Sequence, residues 1–237
     1  MQPRFVGRLS LADAVTVTNA MVGFVAVVVA PGDPELAARL VLLAAVADGL
    51  DGVVARWAGS SAAGEYLDSL ADVASFAVAP AVVVVAVVGE AWEVSVADPT
   101  ARTVLAVGLP ALFVAMAVTR LGMYTAFDTA AKHTEGAPST LAATILASAV
   151  LAGVAQPQVL LAGTAVFVYL MVSTVRYPDL LARDALLMGV VHSLAVLFPE
   201  FAGMAFPYAL LTLGLAYLTL SPRFYWREGD PAANGNA

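Results

Sequence analysis

In the run DGLDGVVARWAGSSAAGEYLDSLAD at 48–72, the carboxylates Asp48, Asp51, Asp68 and Asp72 stand inside or at the ends of otherwise apolar stretches. An Asp at the centre of a membrane helix carries a penalty of roughly 2.5–3.5 kcal/mol, so several together require partners that offset it. Asp48 and Asp51 are three residues apart, and Gly52 and Ala55 continue the same helical face. Asp68 and Asp72 are four apart, with Gly64 a turn before and Ser75 near a turn after, so a second acidic face can oppose the first. Four hard oxygen donors in a chain without Cys suit Mg²⁺ or Mn²⁺ better than zinc. Gly52, Ala55 and Gly64 leave room for a ligand or a close helix, and Arg56 adds the fixed cation that a diphosphate needs. Spacing alone leaves two other readings open: aspartates paired with arginines to fix helix packing, and a divalent-cation transport path.

The elements that must position these residues are membrane helices. Apolar residues make up 61% of the 237-residue chain and charged residues 12%, against about 25% charged in a soluble domain. Mean hydropathy is +0.87. The net charge of −7 argues against a nucleic-acid partner, which needs a basic face. Residues 1–11 read as an interfacial segment, a short helix carrying Phe5, Val6 and Leu9 among Arg4 and Arg8. Residues 12–220 read as one all-α integral membrane domain, with eight spans near 12–30, 36–57, 64–89, 101–126, 138–155, 158–177, 184–198 and 202–220. Residues 221–237 read as a polar, disordered tail. With alternating loops, Arg4, Arg8, Arg56, Arg120, Lys132, Arg176, Arg183, Arg223 and Arg227 fall on one side, and only Arg39 and Arg102 near the other. The positive-inside bias makes both termini and the acidic cluster cytoplasmic in a multi-pass protein of the cell membrane.

The run 48–56 followed by Gly64, Asp68 and Asp72 resembles the signature of the CDP-alcohol phosphatidyltransferases, D-x-x-D-G-x-x-A-R, a spacer, then G-x-x-x-D-x-x-x-D. The family's usual spacer has eight residues, whereas 57–63 gives seven, a difference confined to the inter-helix turn. TVTNAMVGF at 16–24, LDSLADVASF at 67–76, AVAPA at 77–81, EGAPSTLAA at 135–143 and LMVSTVRYP at 170–178 extend the resemblance to the membrane-embedded phosphatidylserine synthases and archaetidylserine synthases. The resemblance implies a six-helix core, here extended by two helices, assembled as a homodimer. It also implies two Mg²⁺ or Mn²⁺ ions on Asp48, Asp51, Asp68 and Asp72, contacts from Gly52, Ala55 and Arg56 to the CDP moiety, and Asp72 as general base. The implied reaction moves the phosphatidyl or archaetidyl group of a CDP-activated lipid to L-serine and releases CMP.

Beyond the motif, the resemblance tilts Thr18 and Asn19 on the first span towards CDP contact, with Gly64 beside them, over ordinary interhelical bonding. A serine acceptor carries a carboxylate that needs a cation; Arg120 and Arg176 are the better candidates and Lys132 the next, although most cations at helix ends anchor topology. A phosphorylated acceptor such as glycerol 3-phosphate or inositol phosphate would require a denser basic pocket than these supply. His192 in the seventh span is expected to be hydrogen-bonded packing, and Trp57 and Tyr66 to belong to the interfacial belt.

Overall fold

The computed structural model describes residues 6–97, 100–128 and 133–226. Helix α1 (Leu11–Val29) opens on a capping box, in which Ser10 and Asp13 satisfy each other's backbone N–H groups. Helix α2 (Pro34–Ala58) opens on Asp33, which accepts from the Leu36 N–H at 2.8 Å with Pro34 in the first turn. It stops at Gly59, whose φ of 84° suits glycine. A single rod follows from Gly64 to Ala91: α3 (Gly64–Asp72), a π-helical stretch Val73–Val78, and α4 (Ala79–Ala91). The wider turn lies just ahead of Pro80, which has no N–H and crowds the carbonyl four residues back. Helix α5 (Ala101–Met123) continues into a second π stretch, Tyr124–Asp128. The remaining helices are α6 (Ser139–Leu151), α7 (Pro157–Leu170), α8 (Ala182–Leu197) and α9 (Ala205–Phe224).

These rods lie close to the eight expected segments. Four of them, α1, the Gly64–Ala91 rod, the α5 rod and α9, are long and apolar enough to cross a membrane. Helix α2 is as long, but Asp48, Asp51 and Arg56 interrupt its apolar run. Helix α6, 13 residues long, rises only ~20 Å, short of a hydrocarbon core of ~30 Å, and residues 142–151 are buried throughout. It is the central post on which α2 and α9 pack. Outward-facing Phe24, Leu50, Val104, Tyr169, Leu186 and Phe224 give the bundle an apolar exterior suited to lipid.

Three expectations need correction. The span drawn over 158–177 ends at Leu170, and Arg176–Pro178 form strand β2, antiparallel to β1 (His133–Glu135), so the fold is helical with one small ladder. The chain leaves the helix because Gly136 and Ala137 N–H groups take the Val175 and Leu170 carbonyls at 2.8 and 2.9 Å. Residues 6–9 form turns instead of an interfacial helix, and residues 1–5 lie outside the described residues. Helix α9 runs to Phe224, so the polar tail starts later than residue 221; 227–237 lie outside the described residues.

Small residues set the helix spacing near the acidic segment. A Cβ on Gly23 would stand 2.6 Å from Ser75 Oγ and 2.8 Å from its Cα, so α1 meets the π stretch backbone to backbone. Ser75 Oγ donates to the Asn19 carbonyl across that contact at 2.9 Å. Gly23→Ala is expected to cost about 1–3 kcal/mol through overpacking and to lower the melting temperature of the detergent-purified chain. Gly108→Ala, with no atom within 4 Å of the added Cβ, is the control and should melt as wild type.

Candidate active site

Helix α2 carries Asp48 and Asp51 in its last turns, and α3 carries Asp68 and Asp72 as it re-enters the bundle. Carboxylate oxygens of Asp48, Asp68 and Asp72 all lie within 4.8 Å of one another. Two unit charges at that separation repel by roughly 3 kcal/mol at an effective dielectric near 20. Arg120 is in electrostatic reach of Asp72, while the Arg176–Glu135 and Arg183–Asp184 pairs form away from the cluster. Asp72 is 7% exposed, and its buried Oδ1 has no hydrogen-bond partner among the described residues. A cluster of hard anionic oxygens with an unsatisfied buried acceptor fits a divalent cation of the Mg²⁺ or Mn²⁺ kind.

Asp51 stands slightly apart from this trio. It is buried, and Thr16 Oγ1 of α1 donates to its Oδ2 at 2.6 Å. Neighbouring Asp13 is also buried, and a Cβ on Gly64 would come within 3.1 Å of its Oδ1, so Gly64 lets the start of α3 close on α1. The seven-residue link closes tightly: Gly59 adopts a positive φ, and Gly64 and Ala63 N–H groups both donate to Ser61 at 3.1 Å.

Gly52 and Ala55 are half-buried on the carboxylate helix, and Arg56 folds back so that Nη1 lies 3.7 Å from where a Gly52 Cβ would be. Asn19 is fully buried with neither side-chain amide atom partnered, whereas Thr18 is exposed and donates to its own helix at Ala14 O, 2.8 Å away. Thr16, three residues from Asn19 and on its face, is the threonine that reaches the acidic cluster.

Of the candidate cations, Arg120 is 8% exposed at the end of α5 and interacts electrostatically with Asp72. Its Nη2 donates to Thr134 Oγ1 at 3.1 Å, and its guanidinium sits 5.1 Å from the Tyr124 ring centroid. Arg176 is turned to the ladder edge, where it pairs with Glu135 at 3.3 Å. Lys132 lies outside the described residues. His192 bonds Thr144 at 3.1 Å and the Met188 carbonyl at 2.7 Å, the packing role expected of it. Sequence reasoning missed Thr16, Asp13, Tyr124 and Thr134. Only Thr16 carried a signal, its helical phase with Asn19.

Comparison with known proteins bears on what this arrangement does. The profile of a protein family described as CDP-alcohol phosphatidyltransferase matches residues 9–176. An archaetidylserine synthase of Methanothermobacter thermautotrophicus (strain Delta H) is 30% identical over 175 residues, 72% of this chain and 70% of that protein. A CDP-diacylglycerol--serine O-phosphatidyltransferase of Mycobacterium leprae (strain TN) is 56% identical over 54 residues, 22% of this chain and only 18% of that protein's length.

The crowding of carboxylates makes a prediction that needs no substrate. In chelator, Asp68→Asn should raise the melting temperature by a few degrees, because a repelling charge is gone. Mn²⁺ should stabilise the wild type, by about 2.7 kcal/mol at a hundred times its Kd, and Asp68→Asn far less. A variant that melts below wild type in chelator and gains as much from Mn²⁺ would show the cluster to be an ordinary packed element. Thr16→Val should weaken Mn²⁺ binding by roughly tenfold through the lost support of Asp51, read by calorimetric titration, with Thr16→Ser close to wild type.

Proposed function

This chain belongs to the CDP-alcohol phosphatidyltransferase family, and from that premise we propose that it transfers the lipid phosphoryl group of a CDP-activated lipid to the hydroxyl of L-serine, releasing CMP. The observation that carries the reading is the convergence of Asp48, Asp68 and Asp72 with the buried guanidinium of Arg120 in electrostatic reach of Asp72. It sets an anion-holding cation beside a cation-holding cage. A zwitterionic acceptor approaching a diphosphate needs both. The names of the two relatives, a CDP-diacylglycerol--serine O-phosphatidyltransferase and an archaetidylserine synthase, favour serine over a phosphorylated acceptor.

Asp48, Asp51, Asp68 and Asp72 would hold two divalent ions, which when bound supply charge neutralisation of the diphosphate and of departing CMP. Arg56, folded over Gly52, is placed to face the same phosphates, and the small surfaces of Gly52, Ala55 and Gly64 leave room for the nucleotide. Asn19, with its buried and unpartnered amide, has hydrogen-bonding capacity to offer the CDP moiety. Thr18, facing outward, has less claim to that role than Thr16.

Arg120 orients the acceptor through its carboxylate, and Asp72 takes the proton of the attacking hydroxyl on the carboxylate oxygen that would not bind metal. The new bond joins the serine oxygen to the lipid-bearing phosphorus; the bond from that phosphorus to the bridging oxygen breaks, and CMP carries the electron pair away. Arg176, paired with Glu135, is a weaker candidate for the acceptor than Arg120. In this reading the chain is a multi-pass protein of the cell membrane, with α6 as a buried central post, both termini and the site on the cytoplasmic side, and works as a homodimer whose lipid substrate stays in the bilayer.

Purified protein with Mn²⁺ or Mg²⁺, CDP-lipid and each candidate acceptor tests the proposal through CMP release. Release with L-serine is expected; release with glycerol 3-phosphate or inositol phosphate but not serine would overturn the acceptor assignment. No release with any acceptor would overturn the enzyme reading. Asp72→Asn should lower turnover by on the order of 10²–10⁴ while CDP-lipid binding persists. Near-normal turnover would remove Asp72 as the base.

A further inference from the structure

Arg120 is held from a part of the chain far from the acidic motif. Thr134, in the middle of β1, is 8% exposed, and its hydroxyl oxygen is the acceptor for Arg120 Nη2 at 3.1 Å. Tyr124, one helical turn beyond Arg120, places its ring against the same guanidinium. The strand that carries Thr134 is fixed in place. Thr134 is in register with Tyr177 of β2, and the following turn is tied to Val175, next to β2, through the Gly136 N–H and to the end of α7 through the Ala137 N–H. Gly136 has a φ of +80°, and a Cβ there would lie 2.2 Å from Met171 O, so the turn admits glycine alone.

The C-terminal helix braces the ladder from behind. Tyr177 is buried and stacks on Tyr217 of α9 at 6.4 Å, and the Tyr217 hydroxyl donates to the Pro178 carbonyl. The Trp226 ring meets His133 edge-on at 6.2 Å. Tyr217 and Trp226 both lie beyond the residues 9–176 that match the family. An arginine side chain forfeits rotamer entropy when it is held in one geometry. Holding it before the ligand arrives removes that cost from binding.

We propose that Thr134 is a positioning residue that pre-sets the guanidinium of Arg120 for the acceptor's anionic group, with the β1–β2 ladder and α9 as its support. The proposal rests on the reading of Arg120 as the acceptor's cation. Thr134→Val keeps the shape of the side chain and removes the acceptor oxygen; Thr134→Ser keeps the oxygen.

Steady-state CMP release by the full-length protein in lipid nanodiscs, with acceptor and CDP-lipid titrated separately, tests it. The acceptor used is the one that the wild type turns over, so release with glycerol 3-phosphate in place of serine changes the acceptor assignment without removing the test. Thr134→Val should raise the acceptor KM about tenfold, with kcat and the CDP-lipid KM within twofold of wild type, and Thr134→Ser should restore the acceptor KM. In an Arg120→Lys background the same Thr134→Val change should add less than twofold. An unchanged acceptor KM, a loss confined to kcat, or a full tenfold effect in the Arg120→Lys background would each overturn the proposal. If Thr134→Val does not elute as folded protein, Thr134→Ala takes its place, with the same shift expected and the same outcomes overturning the proposal.

Discussion

Like charges gathered in a medium of low polarity separate, ionise less or bind a counterion, and the acidic segment of this chain is built against the first of these outcomes. Asp48 and Asp51 are fixed along one rod and Asp68 and Asp72 along the next, with a tight turn at Gly59–Gly64 holding the rods together. The repulsion between them is what a divalent cation held by Asp48, Asp68 and Asp72 would relieve.

Much of the bundle serves that crowding. Gly23 brings α1 against the π stretch after Asp72, and Gly64 brings the start of α3 against Asp13. Both contacts pull the rods inward at the end where the carboxylates sit. Thr16 then ties Asp51 to α1. Opposite them, α5 ends with Arg120, and the ladder and α9 hold its guanidinium from outside the acidic segment. Two charge systems of opposite sign are thus supported by separate parts of one fold, the anionic one by helix packing and the cationic one by a strand and aromatic rings.

The acidic motif was legible because carboxylates in apolar spans are energetically conspicuous and their three- and four-residue spacing follows helical geometry. Helix starts at Ser10, Asp33 and Thr100 coincide with capping side chains, which explains why the rods fell near their expected places. What escaped depended on tertiary contact. The expected span ran on through Arg176 and Tyr177, and pairing with His133–Glu135, together with the backbone donors of Gly136 and Ala137, draws this segment into a ladder. Thr16 and Thr18 are alike in sequence, and only the position of Asp51 selects the first. Thr134 had no signal of its own, since its partner Arg120 lies across a segment whose path the spacing did not fix.

Anomalous X-ray scattering from crystals of the full-length protein grown with Mn²⁺ tests the central claim most directly. The predicted result is an anomalous peak enclosed by Asp48, Asp68 and Asp72 at metal–oxygen distances of about 2.1 Å, lost in Asp68→Asn crystals. A map with no peak there at saturating Mn²⁺, or an arginine guanidinium filling the space between the three carboxylates, would contradict it.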